Sequence, residues 1–329
     1  MKKMIKRALG LLIANLVMLT ASAQYATDFR VTEVSDDELA ANIDLVVSGL
    51  LTAFNNAQST GDFPHISGLD VKPEVKDVIM KLWKDCPFRC RDKRIAERAI
   101  KTPRGEYQVR NIPLVMSPLE GISKDVSWKK YQEAVFTIDK NGMVTDFHLA
   151  IEPQLYIDVM NKARNVGDVE RRMLILEYVE RFRNSYNLKD MDFLEKVFSE
   201  DALIITGKVI KTKKSDINAN SLNNEKIVYS KQNKKQYLAN LARVFRNNKR
   251  INVQFNEIQV AMHPVDANYY GVTLKQSWAS DGYNDEGFLF LLWDFSNPDA
   301  PQIHVRTWQP EEYVIRTGEK VFSMEDFDF

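Results

Sequence analysis

From Ile251 to Gln309 the chain passes through INVQFNEIQVAM, NYYGVTLKQSWAS, EGFLFLLWDFS and QIHVRTWQ, runs rich in β-branched and aromatic residues separated by polar turns. Such runs read as three or four strands of one antiparallel sheet. The segments before them have a different period. In RRMLILEYVERFRNSY, Met173, Leu176, Val179 and Phe182 or Arg183 recur at helical spacing, and KDMDFLEKVF is a second, shorter helix. A strand, DALIITGKVI, an edge-like strand, EKIVYS, and a third helix, KKQYLANLARVFRN, complete the order. Helices over one face of a curved antiparallel sheet define an α+β fold.

The first half repeats this order. Ser35 and Glu38 have capping-box spacing ahead of a helix whose apolar face is Leu39, Ile43, Val46, Leu50 and Phe54. Pro73 opens a second helix with Val75, Val78, Ile79 and Leu82 on one face. Beyond Arg104 the texture turns to strands, with a hairpin at Asn141-Gly142. FNNAQSTGDF from Phe54 aligns with FRNSYNLKDM from Phe182, sharing Phe54 with Phe182, Asn56 with Asn184 and Asp62 with Asp190. The first half is either a diverged copy of the second or an unrelated α+β domain. The expected organisation is an α+β domain over 28–166, a second over 167–315, with the boundary near Gly167, and an acidic tail over 316–329.

Residues 1–23 stand outside that fold. Met1–Arg7 carries four basic residues and no acid, Ala8–Thr20 is apolar, and Ala21-Ser22-Ala23 is a small-residue cleavage site before Gln24. That is the layout of a secretory signal peptide. The apolar run is shorter than the roughly 20 residues of a membrane-spanning helix. The expectation is an exported protein, periplasmic, extracellular or associated with the outer membrane, with no permanent membrane span. Basic and acidic side chains balance at 45 each, so losing the leader leaves a slightly acidic chain. This argues against nucleic acid as the general partner. A local exception runs from Lys208 to Arg250, where twelve basic residues meet only Asp216 and Glu225. It reads as a solvated mobile hairpin or a patch for an anionic envelope component. Cys86 and Cys90 are the only cysteines, and in an oxidising compartment they are a candidate disulfide.

FRNSYNLKDMDFLEKVFSEDALIITGKVI, followed by the four closing strands, resembles the nuclear transport factor two-like (cystatin-like cone) domain over about Val169 to Pro310. The resemblance implies a cone-shaped half-barrel, in tandem if the first half is a copy of the second. The stretch DGYNDEGFLFLLWDF to IHVRTWQP is similar to exported Bacteroidetes proteins of undefined role. In similar enzymes, such as ketosteroid isomerase, the cone holds an apolar pocket with an Asp base. No catalytic residue of that enzyme maps onto this chain, and fold alone does not imply function.

Alternation along QIHVRTWQ puts His304, Arg306 and Trp308 on one face and Ile303, Val305 and Thr307 on the other. On the preceding strand Leu289, Leu291, Trp293 and Phe295 oppose Phe288, Phe290, Leu292 and Asp294, so both faces are apolar. The second must meet a ligand, the other domain or a second copy of the chain. In the functional reading Arg306 is a fork for a small anionic or carbonyl-bearing ligand and Trp308, Trp278 and Trp293 are stacking surfaces, with Tyr178 and Phe182 lining the pocket from the helix. His304, oriented by Asp294, is the candidate general base. In the competing reading these side chains form a polar and aromatic ladder on the convex face. His65, His148, His263 and His304 lie in separate segments without metal-ligand spacing, and Asp281, Asp285 and Glu286 read as a solvated strand connection rather than the alternative, a calcium site. No cofactor motif is present. Three functions stay open: a non-enzymatic envelope module binding a small molecule or a protein, an isomerase, dehydratase or hydrolase using the cone, and a structural or homodimerising module joined through the sheet face.

Overall fold

The computed structural model describes residues 25–102, 104–117, 131–211 and 225–327. The leader lies outside the described residues, as do residues 212–224 of the basic excursion. Among the described residues the chain forms two compact units that part between Ala150 and Ile151. The division is upstream of the Gly167 boundary because helix α3 (Pro153–Met160) packs on α4 (Val166–Asn187) and on strand β9 (Ile251–Met262) of the second unit.

In the first unit, α1 (Asp37–Thr60) buries Leu39, Ile43, Val46, Leu50 and Phe54, the face its periodicity predicts. Asp36 is the N-cap rather than Ser35; its carboxylate accepts from the Leu39 N–H at 3.0 Å. Gly61 ends the helix in the left-handed region, φ 79°. Helix α2 (Pro73–Asp85) starts on its proline and buries Val75, Ile79, Leu82 and Trp83. The sheet order is β1 (Asp28–Thr32), β3 (Arg94–Lys101), β4 (Tyr107–Met116), β5 (Tyr131–Ile138), β6 (Val144–Leu149), with β2 (Phe88–Cys90) also on β4. The first three strands precede Arg104, earlier than the sequence suggests. Gly142, φ 87°, turns the β5–β6 hairpin, and a Cβ there would meet Asn42 Cβ at 2.7 Å. Phe54, Trp83, Phe88, Phe136 and Phe147 form the aromatic centre of this core.

The second unit continues with α5 (Met191–Val197), β7 (Phe198–Lys211), β8 (Glu225–Asn233), α6 (Lys234–Asn247), β9, β10 (Tyr269–Ser280), β11 (Tyr283–Asp294), β12 (Gln302–Pro310) and α7 (Glu311–Thr317). The sheet order is β8-β7-β12-β11-β10-β9, parallel between β7 and β12 and antiparallel elsewhere. Asn233 and Gln236 close a capping box on α6. One sheet face packs on the helices: Phe255, Leu274, Leu289, Leu291, Trp293 and Ile303 meet Val179, Phe182, Tyr186 and Phe245. The other carries Phe290, Leu292 and Val305 and is covered by Phe322, Met324 and Phe327 of the same chain. The C-terminal segment read as an acidic tail is thus a strap on an apolar sheet face. Gln309 holds it, accepting from the Phe322 N–H at 2.8 Å and donating to the Lys320 carbonyl at 3.1 Å.

The protein is α+β in both units, and two six-stranded sheets, each with most of its strands following a helix pair, fit a tandem duplication. They differ in the strands added to the meander. β1 joins parallel to β3, the first strand of its meander, whereas β7 joins parallel to β12, the last. Among the described residues no helix is long and apolar enough to cross a membrane.

Candidate functional site

Strand β12 does not keep simple alternation. Its pairing with β11 slips between Leu292↔Val305 and Trp293↔Ile303, leaving His304 as an extra residue. A bulge of this kind reverses which way the following residues face. Ile303 therefore shares the helix-facing core with Trp308, while Val305 joins the opposite cluster. Alternation had grouped His304 with Arg306 and Trp308, and the bulge separates them. His304 sits by Tyr269, ring centroids 6.0 Å apart, with Nε2 3.5 Å from Asp294 Oδ2 and Nδ1 3.6 Å from Asp201 Oδ1. The expected His304–Asp294 pair forms, but Tyr269 packs on the strap-covered cluster rather than in the cone.

On the helix side, Arg306 is buried, its guanidinium 5.1 Å from the Tyr237 ring centroid and close to the Tyr186 phenol. The Tyr186 and Tyr237 hydroxyls are 2.7 Å apart, and Trp278 meets Tyr186 edge-on at 5.9 Å. Burial pushes the Tyr186 phenol well above its ordinary value, so it stays a neutral hydrogen-bonding group. Arg306 is thus engaged by two tyrosines and does not line the open cavity as a free anion fork.

That cavity, about 1170 Å³, opens between the ends of β7, β9, β10 and β11 and helix α7. Its walls include Asn252, Gln254, Trp278, Asp285, Trp308 and Glu311. The Tyr283 hydroxyl donates to Asp285 Oδ2 at 2.7 Å, while Asp285 Oδ1 is buried without a hydrogen-bond partner. Trp308 Nε1 and Arg306 Nε are likewise buried and bare. An unmatched buried polar atom costs about 1–3 kcal/mol. Burial raises the Asp285 carboxyl above its ordinary value, opposed by the Tyr283 hydroxyl and the Arg306 charge. Gly287 makes room for Trp308: a Cβ there would meet the Gln309 carbonyl oxygen at 2.4 Å and the indole Nε1 at 2.7 Å. Helix α7 is tied to the sheet through Lys275, which pairs with Glu311 at 2.7 Å.

Of the sequence candidates, Trp278 and Trp308 line this cavity and Arg306 lies behind it. Trp293, Tyr178 and Phe182 are core side chains; Trp293 meets Tyr178 edge-on at 5.8 Å, and none of the three lines the cavity. Asp285, read from sequence as part of a solvated connection, is instead the carboxylate at the cavity wall. Its one legible signal was position, a strand residue two before the glycine beneath Trp308. Cys86 and Cys90 are free thiols rather than a disulfide. Cys86 closes α2, while Cys90 belongs to β2, with Sγ 3.3 Å from the Asp92 carbonyl. Among the described residues no group of three or more His, Cys, Asp or Glu side chains is arranged to hold a metal ion.

No protein-family model matches the chain, and no curated protein does. Several solved structures are similar in part. Bd1075 of Bdellovibrio bacteriovorus is 16% identical with a TM-score of 0.33, the match covering 45% of this chain and 43% of that one. A candidate dehydratase of the NTF2-like family from Streptomyces avermitilis is 11% identical with a TM-score of 0.30, over 42% of this chain and 94% of that one. A candidate scytalone dehydratase from Novosphingobium aromaticivorans is 9% identical with a TM-score of 0.32, over 43% and 83%. At these identities and TM-scores the likenesses assign neither a family nor an activity to the chain.

Proposed function

We propose that this is an exported small-molecule-binding protein whose second unit is the ligand cup, the ligand entering beside α7 and lying against Trp278, Asp285 and Trp308. The observation that carries the reading is the roomy cavity itself, walled by Trp278 and Trp308 together with the polar side chains Asn252, Gln254 and Asp285. An aromatic wall with a few convergent polar groups is the kind of concave surface on which small ligands bind. The leader-like residues 1–23 support export.

The test is a ligand-observed NMR screen of the purified chain, repeated on Trp278→Ala. A hit that stabilises the wild type and loses about tenfold or more in affinity in the variant supports the cup. Hits indifferent to Trp278 would overturn it. For export, the protein recovered from cell fractions should begin at Gln24; a cytoplasmic chain retaining Met1 ends that part of the reading.

A second reading is favoured by one observation. Asp285 is held above the usual carboxylate range by burial at the cavity wall, the setting in which a carboxyl serves as a proton shuttle for an isomerase or dehydratase. Turnover abolished in Asp285→Asn with ligand affinity retained would establish it; binding without turnover of any hit leaves the non-enzymatic cup.

A further inference from the structure

We propose that the outward face of helix α6, with Lys249 just beyond its end, docks the protein peripherally on the anionic surface of a lipid bilayer. Docking of this kind is independent of the cup.

The patch begins as a charge imbalance. From Lys226 to Arg250 the chain carries eight basic residues and no acid, although basic and acidic side chains balance at 45 each overall. Among the described residues only Lys234 of these eight has a carboxylate partner, Glu200. Lys235, Arg243, Arg246 and Lys249 are exposed, so they present their charge to whatever lies outside. Helical spacing sets Lys235, Arg243 and Arg246 within about 80° of one another and spreads them over about 16 Å of α6. Leu241 and Phe245 are buried on the opposite side of the helix. Between the cations stand Gln236, Ala239, Asn240 and Asn247, all exposed and uncharged. Asn240 accepts from the Arg243 guanidinium at 3.4 Å and donates to Gln232 of β8 at 3.2 Å, which ties the central cation to the sheet edge. An exposed helix that needs only solvation ordinarily mixes both signs and gains from pairs four residues apart. Here Arg243 and Arg246 stand three apart with like charge, a small cost to the helix that external anions offset.

The shape of the patch selects among anions. A small anion on the convex side of a helix stays open to water on most sides and is weakly held. A surface bearing many anions meets all the cations together, and each Lys or Arg close to it adds about fivefold in affinity. Single-stranded nucleic acid stacks on aromatic side chains between the cations, but those of α6 turn inward, Tyr237 to Tyr186 and Phe245 to the core. Val244, 37% exposed at the margin of the face, is an apolar side chain that a bilayer interface accommodates and a soluble acidic polymer leaves in water.

The chain from Gln24, free of the apolar leader, is sedimented with vesicles of phosphatidylcholine alone and of phosphatidylcholine and phosphatidylglycerol in equal parts. It should bind the mixed vesicles and leave the neutral ones. It should come off as salt rises from about 0.05 to about 0.5 M, over which the screening length shortens roughly threefold. Lys235→Gln, Arg243→Gln and Arg246→Gln together should lower the affinity about a hundredfold at an unchanged melting temperature. Arg243→Glu alone should lower it about tenfold or more, and stays readable if the triple variant fails to fold. Equal binding to both kinds of vesicle, binding to neither, or variants that bind like wild type overturn the proposal. Capture on heparin without capture on vesicles overturns the bilayer as well, and assigns the face to a soluble polyanion.

Discussion

Phe290 of β11 lies flat against Phe327, ring centroids 5.7 Å apart and planes within 3°. This contact joins the last described residue to the sheet face opposite the helices, and with Phe322 and Met324 it covers Leu292 and Val305. Ending the chain after Lys320 removes that cover. The shortened chain should unfold at lower urea, by about 2–4 kcal/mol for three partly buried apolar side chains. It should also bind a hydrophobic dye and self-associate in size-exclusion chromatography, because an uncovered apolar sheet face is an adhesive one. An unchanged urea midpoint would show that the strap contributes nothing.

Gly287→Ala tests the floor under Trp308. The new methyl would be 2.4 Å from the Gln309 carbonyl oxygen, a backbone atom that cannot swing aside, and 2.7 Å from the indole nitrogen. Overpacking of this kind costs about 1–3 kcal/mol. The near-ultraviolet circular dichroism of the tryptophans should change along with the melting temperature. A variant that melts like wild type with an unaltered spectrum would place Trp308 elsewhere.

Asp285→Asn carries a pH signature. The folded pKa of Asp285 is raised, so the native state holds its proton more tightly than the unfolded chain does. Its contribution to stability is fully present below the unfolded carboxylate value of about 3.9 and is lost as pH rises through the higher folded value. Near neutral pH the ionised group opposes folding, and the uncharged amide should melt about 1–3 °C above wild type. The difference should vanish as pH falls toward about 4. A variant less stable than wild type at pH 7, with the gap closing in acid, would mean that Asp285 is stabilised as an anion.

Much of the second unit was legible because its side chains alternate without interruption on β11. Leu289, Leu291 and Trp293 face the helices while Phe290 and Leu292 face away, as period two requires. The capping residues Asn233 and Gln236 likewise mark where α6 begins. The site was less legible for a physical reason. Nothing in QIHVRTWQ announces the extra residue at His304, and one such residue exchanges the faces on either side of it. Strand β3 escaped notice because charged residues, Arg94, Glu97, Arg98 and Lys101, outnumber the buried Ile95 and Ala99. The partner of the second apolar face was sought outside the domain, yet it lay at the chain's own end, where isolated aromatic residues among acids resemble a solvated tail.

The bulge makes a prediction of its own. His304 pairs with Asp294 and Asp201 on the side of the sheet where Tyr269 joins the strap cluster, apart from the cavity walls. His304→Ala should therefore leave the affinity of any cavity ligand within about twofold and cost under about 1 kcal/mol, as partly exposed ion pairs do. Calorimetry on the variant decides it. A loss of binding comparable to that of Trp278→Ala would restore His304 to the cup and remove the bulge from the explanation.

The two cysteines give the last test. Burial raises the Cys90 thiol above its ordinary value, and both side chains are buried, so neither is open to a reagent in the native protein. A colorimetric thiol assay on the native protein should read close to zero, and after denaturation without reductant it should read both cysteines. A native protein that stays silent even when denatured holds the bridge that spacing and an oxidising compartment suggested, and Cys86 and Cys90 must then come together from the end of α2 and from β2.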